Sequence, residues 1–245
     1  MPDLKQPHHL PNLRRDGQPP DKGWLPRQRR GTTPQMIGRY PDYDVLAVKD
    51  SWDAATRQVV EGRLGVGARE LTFFQPSEEP ALRAFCDVAV AQDAEPRVPV
   101  AEMVDEKLAA GRLDGYRYAD MPDDRETWHV VLQGLDQTAR ERHRGSDFAS
   151  LPPAEREAIV GALTRGELGG GAWDRLDPKR AWSVCMRMIL AAFYSHPWAW
   201  NEIGFGGPAY PHGFMRMGSL GTLEPFEKPG ATSEDPVEIA DILQP

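Results

Sequence analysis

Apolar residues recur at the spacing of a single helix face through residues 51–193, and the pattern fades on either side. The best-marked stretch is Trp128, Val131, Leu132, Leu135 and Ala139, at i, i+3, i+4, i+7 and i+11. That is one stripe of a 3.6-residue period. Asp123 and Glu126, after Pro122, form a capping-box pattern ahead of it. Trp182, Cys185, Met186, Ile189 and Phe193 repeat the spacing behind Asp177-Pro178, an N-cap followed by proline at the first helical position. Between the two, Pro152-Pro153 opens a helix holding Ile159, Val160 and Leu163, ended by Gly166. Upstream, Ser51 is the expected cap of a helix carrying Trp52, Ala55, Val59 and Leu64 inward, and Ser77 the expected cap of one carrying Leu82, Phe85 and Cys86. Pro80 falls in that helix's first turn, where its missing N–H is harmless. Residues 98–111 add a short helix with Val100, Val104 and Leu108, stopped by Gly111. Phe73 and Phe74 read as an apolar plug, and Asp44–Val48 as a short extended piece.

Five or six helices with no convincing strand pair predict an all-α chain, a single irregular helical bundle over residues 51–204. Residues 1–50 form a basic, proline-rich irregular arm, and residues 205–245 a Gly/Pro/aromatic segment with an acidic tail. Each large side chain buried by such a bundle contributes roughly 1.5–3 kcal/mol, so 245 residues with 40% hydrophobic composition suffice for a core.

Charge then narrows the partners. The net charge is −8, but residues 1–40 carry eight Lys/Arg against three Asp, and residues 219–245 carry six Asp/Glu against one Lys. An acidic body argues against nucleic-acid binding, which rests on phosphate neutralisation. The basic arm reads as solvated or partner-wrapping. No run of about 18 apolar residues offers a membrane span. The Arg14-Arg15 pair is followed by Asp-Gly-Gln-Pro-Pro-Asp-Lys-Gly, which lacks the apolar region of an export signal. The sequence as written therefore predicts a cytoplasmic chain.

Candidate chemistry is sparse. Glu126 and His129 have the i, i+3 spacing of a metal half-site, but a di-metal bundle needs a second such pair and two further glutamates. Gly65-Val-Gly67 follows a helix and lacks the third glycine of a dinucleotide fingerprint, and Gly166–Gly171 lacks the Gly-Lys-Ser/Thr of a phosphate loop. His196 and His212 are candidate bases, with a contact to a helix C-terminus the simpler role for His196. No nucleophile elbow is present. Cys86 and Cys185 read as buried thiols without metal-ligand spacing, and a bridge between them stays open for an exported chain. The expectation is no catalytic residue, no cofactor site and no metal site on this chain.

What stands out is Phe193–Gly218, FYSHPWAWNEIGFGGPAYPHGFMRMG. Its aromatic residues sit among glycines and prolines, and that much apolar surface must lie against this chain or another. Trp198, Trp200, Phe205, Tyr210 and Phe214 are the candidate partner interface, since aromatic anchors dominate such sites. The two tryptophans are expected to lean inward and Phe205 to Met217 outward, with Gly204, Gly206 and Gly207 allowing close approach or positive φ.

The run Trp200-Asn-Glu-Ile-Gly-Phe-Gly-Gly-Pro after Phe-Tyr-Ser-His-Pro resembles the C-terminal signature of the gluconate 2-dehydrogenase subunit 3 family. The resemblance extends back to about Tyr40, through Ser51-Trp52-Asp53 and Thr72-Phe73-Phe74. It implies a small, non-catalytic accessory subunit that stabilises and matures the large subunit of a sugar or polyol dehydrogenase. That partner would be a flavoprotein of the glucose–methanol–choline type and would hold the FAD. Electrons would pass to an iron–sulfur centre or a cytochrome c subunit. Relatives are expected to carry an export signal, so the polar N-terminus departs from the pattern, and co-export with a signalled partner would place the chain in the periplasm. The alternative is a stand-alone helical scaffold or regulatory protein with no flavoprotein partner.

Overall fold

The computed structural model describes residues 44–67, 69–92, 97–113, 115, 117–203 and 205–208. Its regular structure among these residues is entirely helical: α1 (Ala54–Leu64), α2 (Glu79–Val90), α3 (Val100–Ala109), α4 (Asp124–Arg142), α5 (Pro153–Arg165), α6 (Pro178–Phe193) and α7 (Pro197–Ile203), with three 3-10 helices. The chain is all-α, as the periodicity predicts. It divides into two compact units, residues 64–195 and a smaller one pairing residues up to Arg63 with those from His196 onward.

The larger unit packs α2 to α6 around one apolar core. Trp128, Val131, Leu132, Leu135 and Ala139 are all buried, so the α4 stripe is the core seam that the sequence predicts. Asp123 caps α4 by accepting from Glu126 N at 2.8 Å. Asp177 does the same for α6 through Arg180 N at 2.8 Å. Gly166 ends α5 at φ +73°, and Gly111 follows α3 at φ +65°.

Four local expectations fail for identifiable reasons. Asp44–Val48 is not extended: Val45–Ser51 is a 3-10 helix, capped by Asp44 through Leu46 N at 3.0 Å. The cap of α1 is Asp53, which accepts from Thr56 N at 2.8 Å. Trp52 therefore precedes the helix, the register shifts, and Val60 is buried while Val59 is 56% exposed. Ser77 does not cap α2; Glu78 holds that position without a side-chain cap, and its carboxylate turns back to Gln75 N at 2.8 Å. In α6 Cys185, Ile189 and Phe193 are buried as expected, with Ala181, Val184, Met188 and Ala192 beside them; the expectation fails at Trp182 and Met186, which are half-buried. A helix apolar around most of its girth does not announce which side faces the core.

Two contacts fix the loops of the larger unit. Trp173, in the 3-10 helix Gly171–Arg175, lies on α4 and donates Nε1–H to Thr138 Oγ1 at 2.9 Å. Gly134 makes room for it: a Cβ there would stand 2.5 Å from the indole. Asp105, fully buried on α3, holds the segment before α2. Its Oδ1 accepts from Phe73 N at 2.8 Å and Phe74 N at 3.1 Å, and its Oδ2 from Thr72 N at 2.9 Å and Thr72 Oγ1 at 3.0 Å. Burial works to raise the Asp105 pKa, but these donors outweigh it and hold the carboxyl below its ordinary value. The Phe73–Phe74 plug is thereby set, with Phe74 at 5.9 Å from the Trp128 ring.

Asp105→Asn keeps the shape but turns one acceptor into a donor facing amide N–H groups. We expect a loss of about 3 kcal/mol, read as a lower urea midpoint with an unchanged slope. A midpoint equal to wild type would show that the carboxylate does not hold this segment.

Candidate functional site

From His196 onward the aromatic segment belongs to the smaller unit, and its first part is helical. Pro197 opens α7, and Ala199 N and Trp200 N donate to His196 O at 3.0 and 3.3 Å. A helix here lies beyond Phe193, where the apolar pattern fades, while residues 205–208 are irregular as expected. A proline at the first helical position and a residue free to cap before it start a short helix without a long apolar period.

Trp200, on α7, packs with Val45, Trp52 and Val60 in a small core against which Leu46 also lies. The next residue, Asn201, accepts from Val45 N through Oδ1 at 2.8 Å, satisfying the first free N–H of the 3-10 helix. The chain then turns, with Phe205 N donating to Trp200 O at 2.9 Å and the Phe205 ring edge-on to Trp200 at 5.6 Å. Gly207 has φ +87°, and a Cβ there would stand 2.8 Å from the Trp52 ring and 3.2 Å from Val45 Cγ2. The Trp-Asn…Phe-Gly-Gly signature is thus a clamp closed on residues 45–52 of the same chain.

The expected interface residues fall into three groups. Trp200 is buried and used within the chain. Trp198 is half-buried and edge-on to His196 at 4.9 Å, and Phe205 is 38% exposed. Tyr210 and Phe214 lie outside the described residues. Sequence reasoning missed Asn201, whose adjacency to Trp200 on a capped turn of helix is the only local signal for its role.

His196 does not act as a cation at the end of α6. It is buried, and its Nδ1 accepts from Trp198 N at 3.3 Å, capping α7. Burial lowers its pKa to about 4, against a hydrogen bond with the Arg63 backbone that works to raise it, while the nearby Arg63 charge lowers it further. The ring is neutral at pH 7.

The remaining candidates point to different partners. Glu126 pairs with Arg175, whereas His129 Nδ1 meets Glu78 Oε1 at 2.6 Å under the Phe73 ring, so the two do not converge on one point. Among the described residues no cluster of three His, Cys, Asp or Glu could hold a metal, and no helix is long and apolar enough to cross a membrane. Cys86 and Cys185 are free and buried; burial, with Asp87 and Glu102 near the first and Cys86 and Asp124 near the second, pushes both thiols well up. Such thiols are poor nucleophiles at neutral pH.

Two measurements test the clamp. His196 binds a proton in the unfolded chain below its ordinary pKa of 6.5 but in the folded chain only near 4. Its contribution is full above pH 6.5 and is lost as pH falls toward 4, by about 2 kcal/mol at pH 5. His196→Asn, which keeps an acceptor for Trp198 N–H, should remove that part of the pH slope; an unchanged slope would show that His196 is not the group. Gly207→Ala should destabilise the chain by about 2 kcal/mol through the Trp52 clash and the strained φ. A wild-type melting temperature would mean that residues 205–208 do not close on Trp52.

Among curated proteins and among solved structures nothing matches this chain. One family profile does, that of gluconate 2-dehydrogenase subunit 3, over residues 76–207. The match begins after Thr72-Phe73-Phe74 and Ser51-Trp52-Asp53, so the resemblance in those upstream residues lies outside it. Its last residue is Gly207, the glycine that closes the clamp. With more than half its length matched and the signature in place as a structural unit, the chain belongs to the gluconate 2-dehydrogenase subunit 3 family.

Proposed function

We propose that this chain is the non-catalytic accessory subunit of a flavin-dependent sugar or polyol dehydrogenase, stabilising and maturing the large subunit. The observation that carries the reading is the family match, which names a subunit of gluconate 2-dehydrogenase and runs through Trp200 to Gly207. The partner is a glucose–methanol–choline-type flavoprotein; it holds the FAD and passes electrons to an iron–sulfur centre or a cytochrome c subunit. The local chemistry supports a non-catalytic role, because Glu126, His129 and His196 are each engaged in structural contacts. Trp198, Phe205, Tyr210 and Phe214 make the contact, with Trp200 bracing Phe205 from within. The chain works where its partner works: in the cytoplasm, or in the periplasm by co-export with a signalled partner.

A second reading, a stand-alone helical scaffold, is favoured by one observation: Trp200 and Gly207 are used up in packing on this chain's own residues. Co-expression with the neighbouring flavoprotein separates the two. The accessory reading expects co-purification, and a flavoprotein that is insoluble or FAD-poor when this chain is omitted. Joint replacement of Phe205, Tyr210 and Phe214 by Ala should weaken association by tenfold or more, roughly, while the far-UV circular dichroism stays native. A soluble, active, FAD-loaded flavoprotein that ignores this chain would leave the scaffold.

A further inference from the structure

His196 joins the two halves of the smaller unit. Its Nδ1 accepts from Trp198 N at the start of α7, and its ring hydrogen-bonds the backbone of Arg63, the last residue but one of α1. The ring is 1% exposed, edge-on to Trp198 at 4.9 Å. The Arg63 guanidinium acts on it and also lies over the Trp200 ring at 5.8 Å. Other charges of this unit answer one another: Lys49 pairs with Glu61 at 3.6 Å, and Arg57 with Asp50 at 3.1 Å.

A proton on His196 undoes this arrangement in three ways. Nδ1 gains a hydrogen and can no longer accept from Trp198 N, so α7 loses its cap. A cation arises where almost no water reaches, and it arises beside Arg63. Little holds the unit against such a cost. Its core is Val45, Trp52, Val60 and Trp200 with Leu46 alongside, and the Trp52 Nε1–H is buried without an acceptor. A unit with so few buried contacts opens at a lower free energy than the rest of a fold. The larger unit has no such trigger in the same range. Asp105 is held below its ordinary value, so it keeps its charge where His196 gains one.

We propose that the smaller unit is an acid-released clamp: protonation of His196 frees α7 and residues 205–208 from residues 45–63 while the larger unit stays folded. Opening uncovers Trp52 and Trp200 and takes away the indole against which Phe205 rests. The device goes beyond a pH-dependent stability of the whole chain, because it assigns the loss to one part.

The test uses the full chain and its own thiols. Cys86 and Cys185 are buried in the larger unit and report on it. Val60→Cys places a third thiol in the core of the smaller unit, and Ala199→Cys repeats the measurement from α7. Labelling with dithiodipyridine, which reacts with thiols in acid, is mapped by mass spectrometry and normalised to the unfolded chain at each pH. Between pH 7 and pH 5 the accessibility of the introduced thiol should rise about twentyfold, with Cys86 and Cys185 still protected. With His196→Asn, or His196→Gln with its longer amide, a thiol protected at pH 7 should stay protected at pH 5. All three thiols opening together would show one cooperative fold and overturn the proposal. An equal rise in both His196 variants, or no rise with His196 present, overturns it as well.

Discussion

A carboxylate taken fully out of water is tolerated only when its lone pairs are filled, and Asp105 meets that condition with backbone donors. Three consecutive amides and the Thr72 hydroxyl converge on it. Because the acceptor sits on α3, the segment entering α2 has little freedom left. Phe73 and Phe74 are then aimed at α4, where Phe74 meets Trp128 and Phe73 stacks at 4.8 Å on His129. Arg69 adds to the anchor, 3.7 Å from Asp105 and donating to Glu102 O at 2.9 Å. Glu102, itself buried, binds Arg83 of α2 at 2.7 Å. A polar network so completely satisfied specifies one arrangement of α2, α3 and the plug where apolar packing alone would allow several.

The smaller unit solves a similar problem with different groups. Its parts are far apart in sequence, residues 45–63 and 196–208, and closing such a loop has an entropic cost. Four large or branched side chains supply the apolar drive. Asn201 supplies direction, because its bond to Val45 N fixes the register between α7 and the 3-10 helix. Gly207 supplies clearance over Trp52. The family signature therefore reads as a set of packing requirements: an indole, an amide, and a backbone without Cβ.

Much of the fold was legible because the relevant forces are local. Caps at Asp123 and Asp177, stops at Gly111 and Gly166, and the α4 stripe all follow from short-range rules. What escaped depends on partners distant in sequence. Nothing near Trp173 says that its indole will lie on Gly134, nearly forty positions upstream. Nothing near Asp105 says that it faces Thr72–Phe74 rather than solvent, since an acidic residue on a helix is ordinarily exposed. The α6 stripe holds at Cys185, Ile189 and Phe193 but fails at Trp182 and Met186, because a helix with apolar residues around most of its girth does not mark its core face. For the clamp, the glycines and the inward Trp200 were readable, while α7 was not, because seven residues are too few to show a period.

The distribution of polar groups bears on how such a chain can act. His129 faces Glu78, Glu126 faces Arg175, His196 caps its own helix, and the two thiols are buried with raised pKa. Each is held by a contact within the chain, and the shifts of His196 and the two thiols carry them away from titration near neutral pH rather than toward it. Surface apolar area follows the reverse pattern: Phe205 beside the clamp, Leu190 on α6 and Tyr194 at its end are exposed. Exposed aromatic area of this kind is a solubility liability in an isolated chain and an anchor in an assembled one. Among the described residues, reactive groups tied into structure beside exposed aromatic side chains support the accessory-subunit role proposed for this chain.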